Sequence, residues 1–480
     1  MCRITRTPEN WLNEGMTTSV DTKSADMSES EPGSTPSLAD LASAAKKDRN
    51  RAVDFYRVVA MAAVALGHWA AIAMAVGPDG QLLSGNALSE APSLAALTWL
   101  FQVMPLFFVV GGYSSAASLD AHNRVGKDGS TGRPQDWVAA RLRRMLAPTA
   151  VLAATWLVLT VVGSLLGFGS LIITGAAAAV IPLWFLSNYT VDTAIAPYLL
   201  PRFRQNPALV AGAGVALFCG LEALRFAGVP YLPQINWILG WLLFQVAGFA
   251  WRDGLLPTGR RLAAVAAGLW TLAVAAVTVG PYPVSMVHFP GIGDLSPTHP
   301  PSAALMLFGA AFSATALVAA PRISAWFSNG TPAAVKAWSA VVAGNSIAMS
   351  VYLWHFTAAV GAGAVLYALG WLPTAAVGTA AWWLQKLPLF GLSFVFLAAI
   401  VAVVARFEQR ALLAPRRPWD HGQLSMLALA AVISAAIKIW TIGSPVAVVA
   451  CAAAVFGIHR FILEPRPSRL THGAKNKKML

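Results

Sequence analysis

An arginine and a histidine share one face of the first long apolar segment. Arg57 and His68 are eleven residues apart in RAVDFYRVVAMAAVALGHWA. At about 100° and 1.5 Å per residue, a helix brings these side chains within about 20° of one face and about 16 Å apart along its axis. A neutral imidazole in apolar surroundings can take a proton from a hydroxyl, so His68 is a candidate general base. The alternative is a core histidine that hydrogen-bonds a neighbouring helix.

A second polar group lies in RLRRMLAP, at the start of another apolar segment. Arg141 and Arg144 have the spacing i, i+3, so a helix turns both toward the same side. Two guanidinium groups placed together suit a phosphate-bearing ligand. The alternative is that these charges only orient the chain in a membrane, which any basic loop would do.

Other polar or small residues in apolar surroundings are weaker candidates for substrate binding. These are Asp54, Gly112 in FFVVGGY, Trp184 in PLWFL, Asn345 and His355 in NSIAMSVYLWHF, and His288 in the proline-rich segment before Pro301. Gly112 follows another glycine, which allows a backbone or a ligand to approach closely. Asn345 and His355 either line a polar cavity or tie helices together. Asp54 is expected to pair with Arg57. No segment has the spacing of a metal-ligand cluster, so we expect no metal.

The composition places these residues in a membrane protein. The chain has 480 residues, of which 57% are hydrophobic and only 11% are charged, whereas soluble domains carry about 25% charged residues. Apolar runs of about 20 residues recur, and such runs cross a bilayer as helices. The three cysteines lie far apart and form no disulfide framework. The net charge is +13, but the Lys and Arg residues are concentrated in alternate loops. This distribution argues against a nucleic-acid partner. We therefore expect an all-α polytopic membrane protein.

The hydropathy pattern predicts about twelve transmembrane helices. The predicted spans are 52–76, 94–118, 145–168, 176–200, 207–226, 234–251, 261–281, 302–320, 342–369, 387–405, 424–442 and 445–463. Alternate connecting segments contain no Lys or Arg, whereas the others are basic. Because cytoplasmic loops hold the Lys and Arg residues, both termini are expected in the cytoplasm and the protein in the cell membrane. Arg225, Lys386 and Lys438 lie near outer helix ends, where long side chains can extend to the interface.

The two ends of the chain differ from this pattern. Residues 1–50 are rich in Ser, Thr, Asp, Glu and Pro, which predicts a disordered cytoplasmic tail. A basic head followed directly by an apolar core is missing there, so this stretch is not read as a signal peptide. Residues 466–480 predict a basic cytoplasmic tail.

Together these segments resemble the acyltransferase-3 family of integral membrane acyltransferases, from about Arg51 to Arg410. The most specific element is Arg57-x10-His68, followed by Arg141-x-x-Arg144. FFVVGGY, PLWFL and NS-x-AMSVYLWH fit the family in order and spacing, and WRDG, YPVSM and LWHF look like its actinobacterial branch. The resemblance implies an acyltransferase-like transmembrane domain over 51–410, with ten core helices. Residues 411–465 would then hold two additional helices.

The resemblance also implies transfer of an acyl group from acyl-CoA to a hydroxyl of a carbohydrate, cell-envelope or natural-product acceptor. His68 would be the catalytic base and Arg57 its partner or a contact to the donor. Arg141 and Arg144 would bind the phosphates of CoA, which is a substrate here rather than a bound cofactor. Gly111 stands where many relatives have serine, so this chain has no side-chain hydroxyl at that position. Direct transfer and a relay of the acyl group across the membrane both remain open, as does the oligomeric state.

Two further expectations concern the outer loops and the alternative function. His288 and Asp294 are candidates for acceptor recognition, because the longest outer loop carries them. The alternative function is a transporter or flippase for an envelope precursor, with His68 and Asp192 in a proton path. Transporters often show two related halves, and no such repeat is visible in this sequence.

Overall fold

The computed structural model of the chain describes residues 50–124, 132–293 and 295–413. These residues form a helical bundle with one two-stranded sheet, so the predicted all-α membrane architecture is confirmed. The long helices are α1 (Arg51–Ala71), α2 (Met104–His122), α3 (Pro134–Leu165), α4 (Gly169–Val180), α5 (Leu183–Gln205), α6 (Pro207–Phe226), α7 (Asn236–Arg252), α8 (Gly259–Thr278), α9 (Ala303–Ser328), α10 (Pro332–Ala368) and α11 (Leu387–Leu413). Shorter helical turns span Ala87–Glu90, Pro92–Leu97, Thr98–Phe101, Leu232–Ile235 and Ala380–Gln385.

Eight stretches of the described residues are long and apolar enough to cross a membrane. They are Pro92–His122, Pro134–Leu165, Ile172–Gln205, Pro207–Phe226, Gly259–Thr278, Ala303–Ser328, Pro332–Ala368 and Ala380–Phe407. The predicted spans 52–76 and 234–251 correspond to α1 and α7, which are not among these eight stretches. Helix α1 carries charged residues, and α7 has only 17 residues. The predicted spans 424–442 and 445–463 and both predicted tails lie outside the described residues.

The predicted C-terminal boundary of the first span, 52–76, is wrong. Helix α1 stops at Ala71, and the chain continues as β1 (Ile72–Val76), which pairs antiparallel with β2 (Leu82–Asn86). Gly80 closes the connecting turn with φ of 77°, a conformation that favours glycine. The sequence GPDG carries this turn signal, so the hairpin could have been recognised from the sequence.

Prolines divide two other predicted spans, 94–118 and 176–200. Pro105 lies in the first turn of α2, after the separate short helix that ends at Phe101. Pro182 lies between α4 and α5. Because proline has no N–H to donate and favours the first turn of a helix, each marks the start of a new helix.

Helix α1 lies at the centre of the bundle, where it packs against α2, α9 and α10. Asn50 caps its first turn, since the side-chain oxygen accepts from the backbone N–H groups of Ala52 and Val53. At the other end of α1, the loop between α8 and α9 folds over the bundle. The Gln102 amide donates to the Met286 carbonyl at 2.9 Å, and the Met286 N–H donates to the Thr98 hydroxyl at 2.8 Å.

Two glycines bring α2 and α7 into backbone contact. A Cβ atom added to Gly112 would lie 2.1 Å from the carbonyl oxygen of Gln245, and one added to Gly248 would lie 2.1 Å from that of Val109. Such distances leave no room for a side chain on either helix. Gly112 was a substrate-binding candidate from the sequence, and the structure places it in this helix contact.

We expect Gly248→Ala to lower the thermal stability of the purified protein, because the added methyl group forces α2 and α7 apart. Overpacking of this kind costs about 1–3 kcal/mol. Gly268→Ala is the matched control, since Gly268 lies in α8 with nothing within 4 Å of an added Cβ. The melting temperature in detergent should fall for Gly248→Ala and stay level or rise for Gly268→Ala. Equal melting temperatures would contradict the close contact.

Candidate functional site

Helix α1 carries two functional candidates near its opposite ends. Arg57 lies in its second turn and His68 in its last turn, within one unbroken helix. Their eleven-residue separation corresponds to about 16 Å along the axis. The surroundings of the two side chains differ: Arg57 lies among polar groups from three helices, whereas His68 lies beside another histidine and an apolar cavity.

Arg57 is held by three side chains. Its guanidinium donates to the Ser114 hydroxyl at 2.7 Å, to Asp54 at 3.2 Å and to the amide oxygen of Asn345 at 3.2 Å. The expected ion pair with Asp54 is therefore confirmed. The Asn345 amide also donates to the backbone carbonyl of Asp54 at 3.0 Å. These bonds tie α1 to α2 and α10 and fix the direction of the guanidinium.

Arg141 reaches the same point from α3. Its guanidinium donates to the backbone carbonyl of Ser114 at 3.2 Å and lies 4.5 Å from the centre of the Trp137 ring. Arg57 and Arg144 are both close enough to act on Arg141 electrostatically. Arg144 itself is exposed. We refer to Arg57 and Arg141, which meet at Ser114, together with the neighbouring Arg144, as the arginine cluster.

Ser114 was missed in the sequence reasoning. It follows the glycine pair in GGYSS, two residues after Gly112. A small hydroxyl next to a close helix contact was the available signal, but nothing in the sequence indicated that two arginines from different helices would meet there.

His68 forms a close pair with His355 of α10. Nδ1 of His68 lies 2.9 Å from Nε2 of His355, and the planes of the two rings are nearly parallel (8°) with centroids 5.1 Å apart. Nδ1 of His355 lies 2.6 Å from the Tyr352 carbonyl. His355 is completely buried, and its own carbonyl accepts from the Trp69 indole at 2.9 Å. We refer to His68 and His355 as the histidine pair.

The Tyr352 carbonyl determines the proton positions in this pair. A carbonyl only accepts, so Nδ1 of His355 must carry its proton and, in the neutral ring, Nε2 has the lone pair. That lone pair accepts a hydrogen bond from the Nδ1–H of His68. In the neutral ring, Nε2 of His68 then has no proton, which is the form that a general base requires. The hydrogen bond to His355 therefore selects the tautomer of neutral His68 that carries its proton on Nδ1.

Lys386 fixes the end of α1 two residues beyond the histidine. Its ammonium group donates to the backbone carbonyls of Ala70 at 2.7 Å and Ile72 at 2.5 Å and lies 4.1 Å from the centre of the Trp382 ring. Only 1% of the residue is exposed. The expectation that Lys386 extends to the interface is wrong, because helix-end carbonyls inside the protein bind its charge.

A cavity of about 1340 Å³ lies beyond the last turn of α1. His68 lines it together with Trp184 and His288, two of the weaker candidates. Its walls come from the end of α1, the β1–β2 hairpin, α4, α10 and the loop between α8 and α9. Arg57, Asp54, Asn345, Arg141 and Arg144 do not line this cavity. The structure thus separates the predicted site residues into two groups.

Two further histidines lie at the loop side of the cavity. Nδ1 of His288 lies 3.0 Å from the Ser296 hydroxyl, and the His288 and His299 rings have centroids 4.4 Å apart. His299 also meets the Trp237 ring edge-on at 4.6 Å. Partial desolvation lowers the pKa of His288, so this imidazole is neutral at neutral pH. Asp294 lies outside the described residues.

Four packed aromatic rings, which we call the aromatic layer, reach from the arginine cluster to the histidine pair. The layer consists of Phe107, Phe185, Tyr189 and Tyr352, with Phe185 at 4.9, 5.3 and 5.2 Å from the other three ring centroids in that order. Along α10, Tyr352 stands between Asn345, which binds Arg57, and His355. Tyr189 also hydrogen-bonds Arg141. The layer therefore contacts both groups.

We expect Lys386→Met to loosen the end of α1, because the carbonyls of Ala70 and Ile72 lose their donor. Backbone amides from residue 69 to residue 76 should exchange with solvent about tenfold faster, which corresponds to about 1.4 kcal/mol. Lys336→Met is the control, since Lys336 is exposed on α10. Unchanged exchange in Lys386→Met would show that the ammonium does not hold this helix end.

A comparison with known families places most of the chain in one family. A family model described as an acyltransferase domain matches residues 50–407, which is more than half of the chain and includes both the arginine cluster and the histidine pair. No curated protein and no solved structure matches the chain significantly. The chain therefore belongs to the acyltransferase-3 family of membrane acyltransferases.

Proposed function

We propose that this membrane acyltransferase moves an acyl group from acyl-CoA to a hydroxyl of a carbohydrate, cell-envelope or natural-product acceptor, with His68 as the general base. The observation that carries the proposal is the histidine pair: its hydrogen bonds leave Nε2 of His68 unprotonated at the wall of a large cavity. Family membership supports acyl transfer, and the geometry around His68 supports a hydroxyl as the group that is activated.

The arginine cluster suits the CoA part of the donor. Three guanidinium groups lie close together there, and Asp54 is the acidic residue that pairs with one of them within the part of the chain that the structure describes. The cluster therefore keeps a net positive charge that can bind phosphates. With the phosphates at this end, the thioester must extend about 16 Å along α1 to reach His68. The aromatic layer lies on this path, so its rings must move aside for the donor.

The proposed reaction is a direct transfer. Nε2 of His68 takes the proton of the acceptor hydroxyl while the hydroxyl oxygen attacks the thioester carbonyl, and a tetrahedral intermediate forms. The C–S bond then breaks, and the leaving thiolate takes the proton back from His68. During the step His68 is an imidazolium ion, and Nε2 of His355 accepts a hydrogen bond from its Nδ1–H. This bond to a fixed, buried acceptor stabilises the charge.

The proposed orientation follows from the charges. The arginine cluster and the other basic segments would face the cytoplasm, where acyl-CoA is made, with both termini on that side. The cavity and the loop between α8 and α9 would face the outer side of the cell membrane. A transporter or flippase was the alternative, and the family match favours the enzyme over it.

The general base is tested by acyl-CoA consumption in proteoliposomes with envelope glycans as acceptors. We expect His68→Ala to lower the release of free CoA by at least 100-fold, since a positioned acid–base group contributes about 10²–10⁴-fold. His122→Ala, which alters a histidine outside the site, should leave the rate unchanged. Equal CoA release by wild type and His68→Ala, with both proteins folded, would refute the role of His68.

The donor site is tested by the dependence of the rate on acyl-CoA concentration. Arg144 is exposed, so Arg144→Ala leaves the core packing intact. We expect the KM for acyl-CoA to rise about tenfold with little change in kcat, because a charge-assisted hydrogen bond is worth about 1.5–3 kcal/mol. Arg261→Ala removes another exposed positive charge from the first turn of α8 and should not change the KM. A similar KM increase in both variants would point to a general charge effect.

A further inference from the structure

We propose that the cavity beside His68 binds an uncharged amphiphilic acceptor that enters sideways from the bilayer. This inference rests on the proposed function and specifies its acceptor: a molecule with an apolar body and neutral hydroxyl groups, rather than a free, hydrated or charged glycan. It follows from the chemistry of the cavity wall, from its access to the protein surface, and from the position of its few polar groups.

The described part of the cavity wall carries no formal charge. None of the described residues that line it is Asp, Glu, Lys or Arg, and most are aliphatic or aromatic, including Trp184, Trp237 and Phe356. Lys386 is nearby, but it is not part of the wall, and its ammonium group is bound to two carbonyls. An anionic head group would leave water here without gaining a cation, which costs several kcal/mol. An uncharged ligand avoids that cost.

The volume also fits an amphiphile. Pockets for drug-sized ligands usually measure about 300–1,000 Å³, and this cavity has about 1340 Å³. A single sugar would leave most of it empty, and the apolar wall could not replace the hydration of a longer free glycan. A sugar or similar head joined to a hydrocarbon body uses both the volume and the apolar wall.

Three wall residues show where the cavity reaches the surface. Leu97, Phe168 and Ile181 line the cavity, and they are 45%, 56% and 44% exposed. Phe168 and Ile181 flank α4 at its two ends, and Leu97 ends the helical turn that begins at Pro92. Because large apolar side chains on the outside of a membrane protein face lipid, these three residues separate the cavity from the bilayer. The proposed side entrance for a lipid-dissolved molecule lies at these residues.

The polar groups of the wall are placed for a hydroxyl-bearing head. His68 presents an unprotonated Nε2, and His288, whose Nδ1 lies at the Ser296 hydroxyl, presents the other edge of its ring near the loop. Both are neutral and can hydrogen-bond hydroxyl groups. One acceptor hydroxyl would lie at His68 and others at His288, with the hydrocarbon body along α4 toward the side entrance.

The test uses photoaffinity labelling of the full-length protein in nanodiscs. The neutral probe is a dodecyl β-D-glucoside with a diazirine in its chain, and the anionic probe is the matching dodecyl β-D-glucuronide. We expect the neutral probe to label peptides from α4 and residues 92–101, and the anionic probe to label them at least tenfold less. Equal labelling by the two probes, or labelling elsewhere only, would overturn the proposal.

A pair of variants in α4 tests the cavity itself. Ala178 lines the cavity and Ala177 does not. Ala178→Phe should reduce labelling by the neutral probe at least fivefold, whereas Ala177→Phe should label like wild type. Equal loss in both variants would overturn the assignment of this wall. If a variant misfolds, the comparison of the two probes on the wild-type protein still tests the proposal.

The inactive variant separates this inference from the proposed function. His68→Ala loses one hydrogen bond to the acceptor, but it should still be labelled more strongly by the neutral probe than by the anionic probe, since the apolar wall and His288 remain. If the neutral probe labels the cavity but no acyl-CoA is consumed, the cavity assignment stands and the acyl-CoA reaction fails. If His68-dependent CoA release occurs and labelling avoids the cavity, the reaction stands and this inference fails.

Discussion

The end of α1 is the constraint on which the rest of the site depends. A transmembrane helix normally continues to the interface, but α1 stops at Ala71, where the Lys386 ammonium binds the carbonyls of Ala70 and Ile72. Carbonyls at a helix end inside apolar surroundings need a donor. Because this donor is supplied by Lys386, between the helical turn Ala380–Gln385 and α11, the chain can turn into the hairpin and leave room for the cavity. His68 consequently stands in the last turn of a helix, at the cavity wall, and not in the middle of a packed interface.

The same helix keeps two kinds of chemistry apart. Its first turns hold Arg57 among charged and polar groups, and its last turn holds His68 among neutral ones. The charges proposed to bind phosphates would disturb the proposed neutral base, and about 16 Å of helix with aromatic rings beside it reduces that influence. The neighbouring helices repeat the division, since α10 contributes Asn345 to one end and His355 to the other.

Much of this arrangement could be predicted from the sequence, and the part that could not has a physical explanation. Helical periodicity along a single segment placed Arg57 and His68 correctly on one helix. Hydropathy gave ten spans for the eleven long helices between residues 51 and 413, because the span 176–200 covers parts of both α4 and α5. The contacts between helices were not predictable, because the sequence does not state which side chains meet. Ser114 and Lys386 belong to this class: each acts through backbone or side-chain groups that are distant in the chain. The proline breaks were visible in the sequence but were outweighed by hydropathy.

The aromatic layer has a consequence for the energetics of the cell. An enzyme that takes its donor from one side of a membrane and its acceptor from the other risks opening a wet path for protons, and every proton that leaks dissipates the gradient that drives ATP synthesis. Apolar constrictions resist hydration and so block ions. In the proposed arrangement, the four rings of the aromatic layer would form such a constriction between the arginine cluster and the cavity. The proposed enzyme would then stay closed to ions while its site is empty.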